Sequence, residues 1–204
     1  MKTPRLSPEE EKSLWNEFRA GGRAAFEKLL QTHYRGLYHY GAKFSKDAEF
    51  VKDCIQELFL ELWKNRATLG ETSYPRSYLL KSLRRKMYRE LYRNRRHAQA
   101  EPLEEDYHFN VAFSVEHLLL HEEAAKDTAE KMAHLLNQLP RRQKEIVYLR
   151  YFQELEVSEI TQVMDLTPQS VYNLLHKAVS RLRQYWFDET EKSLGLVLLM
   201  ALLS

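Results

Sequence analysis

A chain of 204 residues has room for one large domain or two small ones, and 44% hydrophobic with 29% charged residues is the composition of a folded globular protein, which excludes disorder throughout. Six Gly and six Pro are few for a sandwich or barrel full of tight turns, which favours helices, and a lone cysteine, Cys54, excludes an internal disulfide and fits a reducing cytoplasm. The net charge of +2 hides a segregation: residues 71–97 hold nine Lys and Arg against two Glu, whereas residues 98–130 hold nine acids against Lys126 alone. The basic block asks for a polyanionic partner, and the acidic block suggests a linker that avoids or mimics one.

In chain order, the first eleven residues carry Pro4, Pro8 and three consecutive Glu and do not read as a signal peptide. Ser7, Pro8 and Glu10 form a helix start, an N-cap followed by proline in the first turn and Glu three residues after the cap. Leu14, Trp15 and Phe18 follow at helical spacing until Gly21-Gly22. A second helix carries Phe26, Leu29, Leu30, Leu37 and Tyr38. Residues 48–64 are strongly amphipathic through Val51, Ile55, Leu58, Phe59 and Leu62. A loop with Gly70 and Pro75 leads into a long basic helix ending near Arg96. Residues 98–127 read as an acidic linker interrupted by Pro102, in which the apolar run 111–120 is a candidate short helix. Periodicity resumes with Met132, Leu135, Leu136 and Leu139 and is broken by Pro140. Three helices follow, over 141–151, 157–164 and 168–186. There is no strand pattern and no internal repeat, so the expected fold is all-α. It comprises a first helical domain over residues 1–97, the linker over 98–127, and a helix-turn-helix domain over 128–190. An apolar tail, 191–204, is expected to fold back on the second domain or linker.

Three surfaces ask for partners. On the helix over 48–64 the stripe Val51, Ile55, Leu58 and Leu62 faces inward, which puts Leu60 on the opposite side among Asp53, Gln56, Glu57 and Lys64. A lone exposed leucine is ordinary; one inside a polar ring on an exposed helix has the form of a small protein-docking patch. On the basic helix Leu79, Leu83, Met87 and Leu91 form the buried stripe. Tyr78, Arg85, Arg89, Tyr92 and Arg96 lie opposite, with Lys81 and Tyr88 beside them. A solvated charged face is the ordinary alternative, but this one has almost no acids and interleaves aromatic rings with arginines. Cations follow phosphates while rings stack on unpaired bases, so single-stranded or melted nucleic acid is the better fit. The third surface is a helix-turn-helix. Residues 157–164 form its first helix, Asp165-Leu166 the turn, and Thr167-Pro168 the cap and start of the second. Burying Val171, Leu174, Leu175, Ala178 and Leu182 exposes Gln169, Tyr172, Asn173, His176 and Lys177, the half that reaches base edges in a major groove. Gln and Asn suit adenine, and Lys suits the acceptors of guanine. Arg181 and Arg183 lie further on, at phosphate distance or simply in solvent.

In this order the three surfaces resemble the extracytoplasmic-function sigma factors, the small two-domain members of the sigma-70 family. The resemblance rests on Gly22, Phe26, Leu30, Tyr34, Leu37-Tyr38 and the run VKDCIQELFLELW over residues 51–63. It continues through YPRSYLLKSLRRK over 74–86, LNQLPRRQKEIVYLRYFQELEVSEI over 136–160 and TPQSVYNLLHKAVSRLR over 167–183. It implies a specificity subunit that binds core RNA polymerase, recognises the promoter minus-ten and minus-thirty-five elements and melts DNA to start transcription. It further implies that Asp53, Gln56, Glu57, Leu60 and Lys64 dock on the clamp helices of the largest polymerase subunit. Tyr74, Tyr78, Lys81, Arg84, Arg85, Arg89, Tyr92 and Arg96 would hold the opened minus-ten element and a flipped base. Gln169, Ser170, Tyr172, Asn173, His176, Lys177 and Arg181 would read the minus-thirty-five duplex in a domain that also touches the polymerase flap. The linker would thread toward the active-site and RNA-exit channels. Thirty extended residues reach ~100 Å, enough for promoter elements two helical turns and ~70 Å apart. Three positions depart from the family pattern: Arg85 stands where an Asn is usual, Arg89 one helical turn later where an Asp is common, and Asp165 where the turn usually has Gly.

The other partner implied is an anti-sigma factor, for which the apolar run 194–203 is a candidate contact; that run is too short to span a bilayer. Eight scattered His and one Cys offer no metal-ligand spacing, and with no phosphate loop or nucleophile motif the chain reads as neither an enzyme nor a cofactor binder. The alternative is a stand-alone helix-turn-helix regulator binding duplex operators as a dimer, which would need neither the docking patch, the aromatic-basic helix nor the linker.

Overall fold

The computed structural model describes residues 6–97 and 126–203, with side chains over 6–93 and 130–187. Within them the chain is helical, without strands. The expected all-α class is observed.

The first half has four helices, α1 (Pro8–Arg19), α2 (Arg23–Gly41), α3 (Ala48–Asn65) and α4 (Pro75–His97). Their ends follow from local chemistry. The Ser7 hydroxyl accepts from the Glu10 N–H at 3.2 Å and the Ser7 N–H donates to the Glu10 carboxylate at 2.8 Å, closing the capping box. Gly21, at φ 95°, turns the chain out of α1 in a conformation that a Cβ would oppose. Asp47 caps α3 by accepting from the N–H groups of Glu49 and Phe50. The core stripe of α3 (Val51, Ile55, Leu58, Leu62) packs on Leu79, Leu83 and Met87 of α4, all buried as their spacing predicts. Gly41 lets α2 approach α3, because a Cβ there would lie 2.8 Å from Val51 Cγ1. An aromatic cluster closes the other end: Trp15 lies 5.2 Å from Tyr78 and Phe26 lies 5.0 Å from Trp63 between ring centroids. The Trp15 indole N–H donates to Gly70 O at 3.1 Å and Arg19 Nε to Leu69 O at 2.7 Å, so α1 holds the loop before α4 in place.

The second half has α5 (Lys126–Gln138), α6 (Arg141–Val147), a π-helical turn (Tyr148–Phe152), α7 (Val157–Met164) and α8 (Pro168–Leu203). The helix expected over 141–151 thus changes pitch at Tyr148. Asp165 takes the left-handed conformation, φ 53° and ψ 48°, that the turn between α7 and α8 requires. Thr167 caps α8 through its Oγ1, 3.2 Å from the Ser170 N–H. The helix expected to end near Trp186 does not end there, and the expected packing of the tail falls outside the described side chains. The helix runs unbroken to Leu203, because Gly195 alone weakens a helix without stopping it. The expectation of a linker over 98–127 falls almost wholly outside the described residues.

Each half has its own stripe of buried residues, yet the two do not stand apart. Tyr40 at the end of α2 stacks on Tyr148 with centroids 6.3 Å apart, α4 lies along α7, and the buried side chains of both halves form one continuous cluster. The two halves meet at an interface whose buried centre holds aromatic rings together with the Arg84–Glu145 ion pair, with more exposed ion pairs around it. No helix among the described residues is long and apolar enough to cross a membrane.

His33 of α2 is buried and its Nε2 has no hydrogen-bond partner. Burial, and then the nearby Arg76 charge, push its pKa down to about 4, outweighing a Glu11 carboxylate 3.9 Å away. Because the unfolded chain protonates His near pH 6.5 and the folded chain only near pH 4, the unfolded state takes up more protons in between. Stability should therefore be full above pH 6.5 and fall as the pH drops toward 4. Urea denaturation at pH 7 and pH 5 should show this loss, and His33→Gln should remove most of it.

Candidate nucleic-acid and partner interfaces

The three surfaces read from the sequence occupy different situations in the fold. On α3, Asp53, Gln56, Glu57, Leu60 and Lys64 all lie exposed on one face, opposite the core stripe, and Leu60 keeps 62% of its surface open. What the sequence did not disclose is how that face is tied to α4. Lys86, with its side chain only 4% exposed, reaches Glu57 at 2.9 Å and Glu61 at 2.8 Å. Burial works against its charge, and the two carboxylates more than compensate and raise its pKa. The signal available was a lysine one position before Met87 in a stripe that packs on α3.

On α8, Gln169, Tyr172, Asn173, His176, Lys177 and Arg181 are exposed and Ser170 is half-buried, while Val171 and Ala178 are buried beneath them. Leu174, Leu175 and Leu182 are partly buried. The Gln169 amide donates to Asn173 Oδ1 at 3.0 Å, so these two side chains present donors and acceptors as a unit. Arg183 is exposed as well.

The basic helix α4 is where geometry departs furthest from the sequence reading. Arg85, Arg89 and Tyr92 are exposed, as expected for the far face. Tyr74 at the helix start is half-buried, and Tyr78 shares its ring with the Trp15 cluster, so only part of it is available. Arg96 lies beyond the described side chains. Arg84 does not face solvent: it stacks over Tyr88, 4.8 Å from the ring centroid, and its Nε donates to Glu145 Oε1 at 2.9 Å. Glu145, 1% exposed, also accepts from the Tyr40 hydroxyl at 2.7 Å. Burial opposes the arginine charge, but the Glu145 carboxylate restores it and raises the Arg84 pKa overall. Burial, and then that same carboxylate, hold the Tyr40 hydroxyl protonated by raising its pKa well above the ordinary value.

Around this buried centre the second half engages α4 repeatedly. Arg76 donates to Gln153 Oε1 at 2.7 Å and Ser77 Oγ to Glu159 Oε1 at 3.3 Å. Asp165 pairs with Lys81 and, at 2.9 Å, with Arg85. Sequence reasoning missed Tyr40, Glu145, Gln153 and Glu159. The usable clue was Glu145, an acid four residues before Leu149 on a helix face otherwise filled by Ile146 and Leu149.

A cavity of about 190 Å³ opens between α3, the loop after it and α4, lined by Leu62, Asn65, Leu69, Tyr78, Arg85 and Arg89 among others. It combines an aromatic edge with three cations, Arg85, Lys86 and Arg89, and the Glu61 carboxylate. Cys54 is buried in the core with its thiol pKa pushed up to about 11, first by burial and then by Glu90, which makes it an unreactive packing group at neutral pH. Among the described residues no group of three His, Cys, Asp or Glu is placed to hold a metal ion.

Comparison with known proteins agrees with this arrangement. Residues 29–97 match the family model of sigma-70 region 2, and residues 129–182 match that of sigma-70, region 4. Together they span most of the described chain and divide at the acidic segment. No curated protein sequence matches significantly. Among solved structures the chain is similar to CnrH in complex with the cytosolic domain of CnrY, at 20% identity and a TM-score of 0.59, covering 87% of this chain and 97% of that one. It is also similar to the sigma factor RpoE in complex with the anti-sigma factor NepR from Bartonella quintana. There the identity is 16% and the TM-score 0.55, covering 79% of this chain and 96% of the other. At these identities the likeness is one of fold.

Removing Arg84 strands a buried carboxylate. Arg84→Met should therefore destabilise the chain by about 3 kcal/mol, more than the double variant Arg84→Met with Glu145→Gln, whose neutral amide has far less to lose. Chemical denaturation of both variants measures the difference.

Proposed function

This chain is a sigma factor of the sigma-70 family acting in transcription initiation, and we propose that it is of the extracytoplasmic-function type and that its three surfaces divide the work as their chemistry suggests. In this reading residues 1–97 dock on core RNA polymerase and hold the minus-ten element. Residues 98–127 link the halves, and residues 128–190 read the minus-thirty-five element. The apolar tail expected over 191–204 continues the last helix as far as Leu203. The observation that carries the assignment is the coincidence of each surface with a matched region. Leu60 and the basic α4 fall in region 2, and the exposed half of α8 falls in region 4.

Docking would use Asp53, Gln56, Glu57, Leu60 and Lys64, with Leu60 as the apolar centre of a polar ring. Melted DNA would follow Lys81, Arg85, Arg89 and Arg96, whereas Arg84, expected on that face, is held by Glu145 and serves the contact between the halves. Tyr74, Tyr78 and Tyr92 would offer rings to unpaired bases, and the cavity beside Tyr78 and Arg89 would receive one flipped base. Arg85 in place of the more usual Asn makes this face more cationic and favours phosphate contacts over hydrogen bonding to a base. Gln169, Asn173 and Lys177 would contact base edges of the duplex element, with Ser170, Tyr172, His176 and Arg181 on its backbone. The protein works where the polymerase is, in the cytoplasm, and performs no catalytic step of its own. Since one of the similar structures is by its description a sigma factor in complex with an anti-sigma factor, we include an anti-sigma factor among its partners.

In vitro transcription with purified core polymerase tests the whole reading: the chain should direct initiation from a defined set of promoters that core alone ignores. Leu60→Asp or Gln56→Ala should weaken core binding in a titration while leaving helical content intact, because neither side chain belongs to the core. Unchanged affinity would reduce the patch to plain surface.

The two DNA surfaces are separable within the holoenzyme. Tyr78→Ala, Arg85→Ala or Arg89→Ala should lower permanganate reactivity of the opened region more than initial duplex binding. Gln169→Ala, Asn173→Ala or Lys177→Ala should instead weaken upstream duplex recognition by about 1–3 kcal/mol per side chain that reads a base. A tight complex of the isolated chain with a palindromic operator, with opening untouched by the α4 changes, would favour a dimeric repressor.

A further inference from the structure

Cations that the preceding reading gives to opened DNA are bound here to the chain's own second half. Lys81 and Arg85 share the carboxylate of Asp165, and Arg84 is held by Glu145. Asp165 is an unusual occupant of its position. It sits in the left-handed region, where glycine is without strain and an aspartate is tolerated less well. Its backbone N–H closes α7 on Thr161 O, a bond that any residue would make. Both ionic partners of its side chain lie on α4, so its charge serves the contact between the halves and not the helix-turn-helix.

The two ionic contacts differ in kind. Arg84 and Glu145 are 16% and 1% exposed, whereas Arg85 and Asp165 are 64% and 48% exposed. Water and salt screen the outer pair, and a polyanion can reach it. The same two cations therefore have two alternative anions, the Asp165 carboxylate in the closed chain and phosphate once DNA arrives.

We propose that Asp165 is an internal competitor for nucleic acid: its carboxylate stands in for a phosphate on Lys81 and Arg85 and holds the helix-turn-helix across the minus-ten face until DNA or polymerase separates the halves. The competition rests on the reading of α4 as a nucleic-acid face. It acts on affinity through the fraction of molecules that are open, since apparent affinity is the intrinsic affinity scaled by that fraction. Burial of Arg84 against Glu145 sets the closed geometry, and the exposed Asp165 contact makes it exchangeable.

The test uses the full chain and a fluorescent mixed-sequence single-stranded DNA oligonucleotide at one low ionic strength, with the radius of gyration measured by small-angle scattering. Asp165→Asn removes the charge while keeping the side-chain size. Asp165→Gly removes the charge and relieves the backbone, and so covers the case in which the amide variant folds poorly. Both should bind the oligonucleotide about threefold to tenfold more tightly than wild type, the range expected for releasing two exposed ion pairs, and both should be more expanded. Glu27→Gln, which removes an exposed charge elsewhere, should change affinity less than about twofold. Adding Lys81→Ala and Arg85→Ala to Asp165→Asn should cancel the gain. Unchanged binding in both Asp165 variants, or an equal gain in Glu27→Gln, would overturn the competition while leaving the DNA face intact, provided Lys81→Ala with Arg85→Ala weakens binding in the wild type. No effect of those two alanines in any background would overturn the DNA-face reading, and the competition with it.

Discussion

A carboxylate shut away from water must be paired, or it costs several kcal/mol. Glu145 meets that condition with one neutral donor, Tyr40, and one cation, Arg84, both supplied by the other half of the chain. Much of the tertiary arrangement follows from this one requirement. Tyr40 must sit at the end of α2, where it stacks on Tyr148, and Arg84 must turn inward from α4 over the ring of Tyr88. With those two points held, α7 is laid along the first turns of α4, and Gln153 and Glu159 come within reach of Arg76 and Ser77.

The same chemistry explains why a helix rich in cations can be packed at all. Nine bases over residues 71–97 would repel one another without anions near them. The fold supplies carboxylates from two directions: Glu57 and Glu61 of α3 hold Lys86, and Glu145 and Asp165 of the second half hold Arg84, Arg85 and Lys81. Contacts on the α3 side are internal to region 2 and persist however the halves move. Those from the second half exist only while the halves are together. A surface suited to phosphate is for that reason also suited to being closed by the protein's own acids.

Lys86 links two activities that the sequence treats as separate. It bridges Glu57, on the face of α3 that carries Leu60, to α4, where Arg85 and Arg89 line the same cavity as Lys86. The proposed docking face of α3 and the proposed DNA face of α4 are thus joined through the buried Lys86 ammonium, and the cavity beside Tyr78 lies between the same two helices. On the proposed assignment, a rigid connection of this kind would let a protein partner position the nucleic-acid surface without any change inside the domain.

By itself the sequence determined the local and periodic features. The capping box of Ser7 and Glu10, the stripes Val51-Ile55-Leu58-Leu62 and Leu79-Leu83-Met87, the left-handed turn at Asp165 and the exposed half of α8 depend on spacing and on residues a few positions apart. All of them are legible in a linear text. The family resemblance was legible for the same reason, since its motifs are runs of adjacent residues. Only the tertiary structure decided which way Arg84 points, that Asp165 has its partners on α4, and that Tyr40 and Glu145 meet across 105 positions of chain. Periodicity can say that a side chain leaves the core stripe of its own helix. Whether it then enters water or another helix depends on contacts between distant segments, where a buried charge finds its partner by geometry and not by spacing.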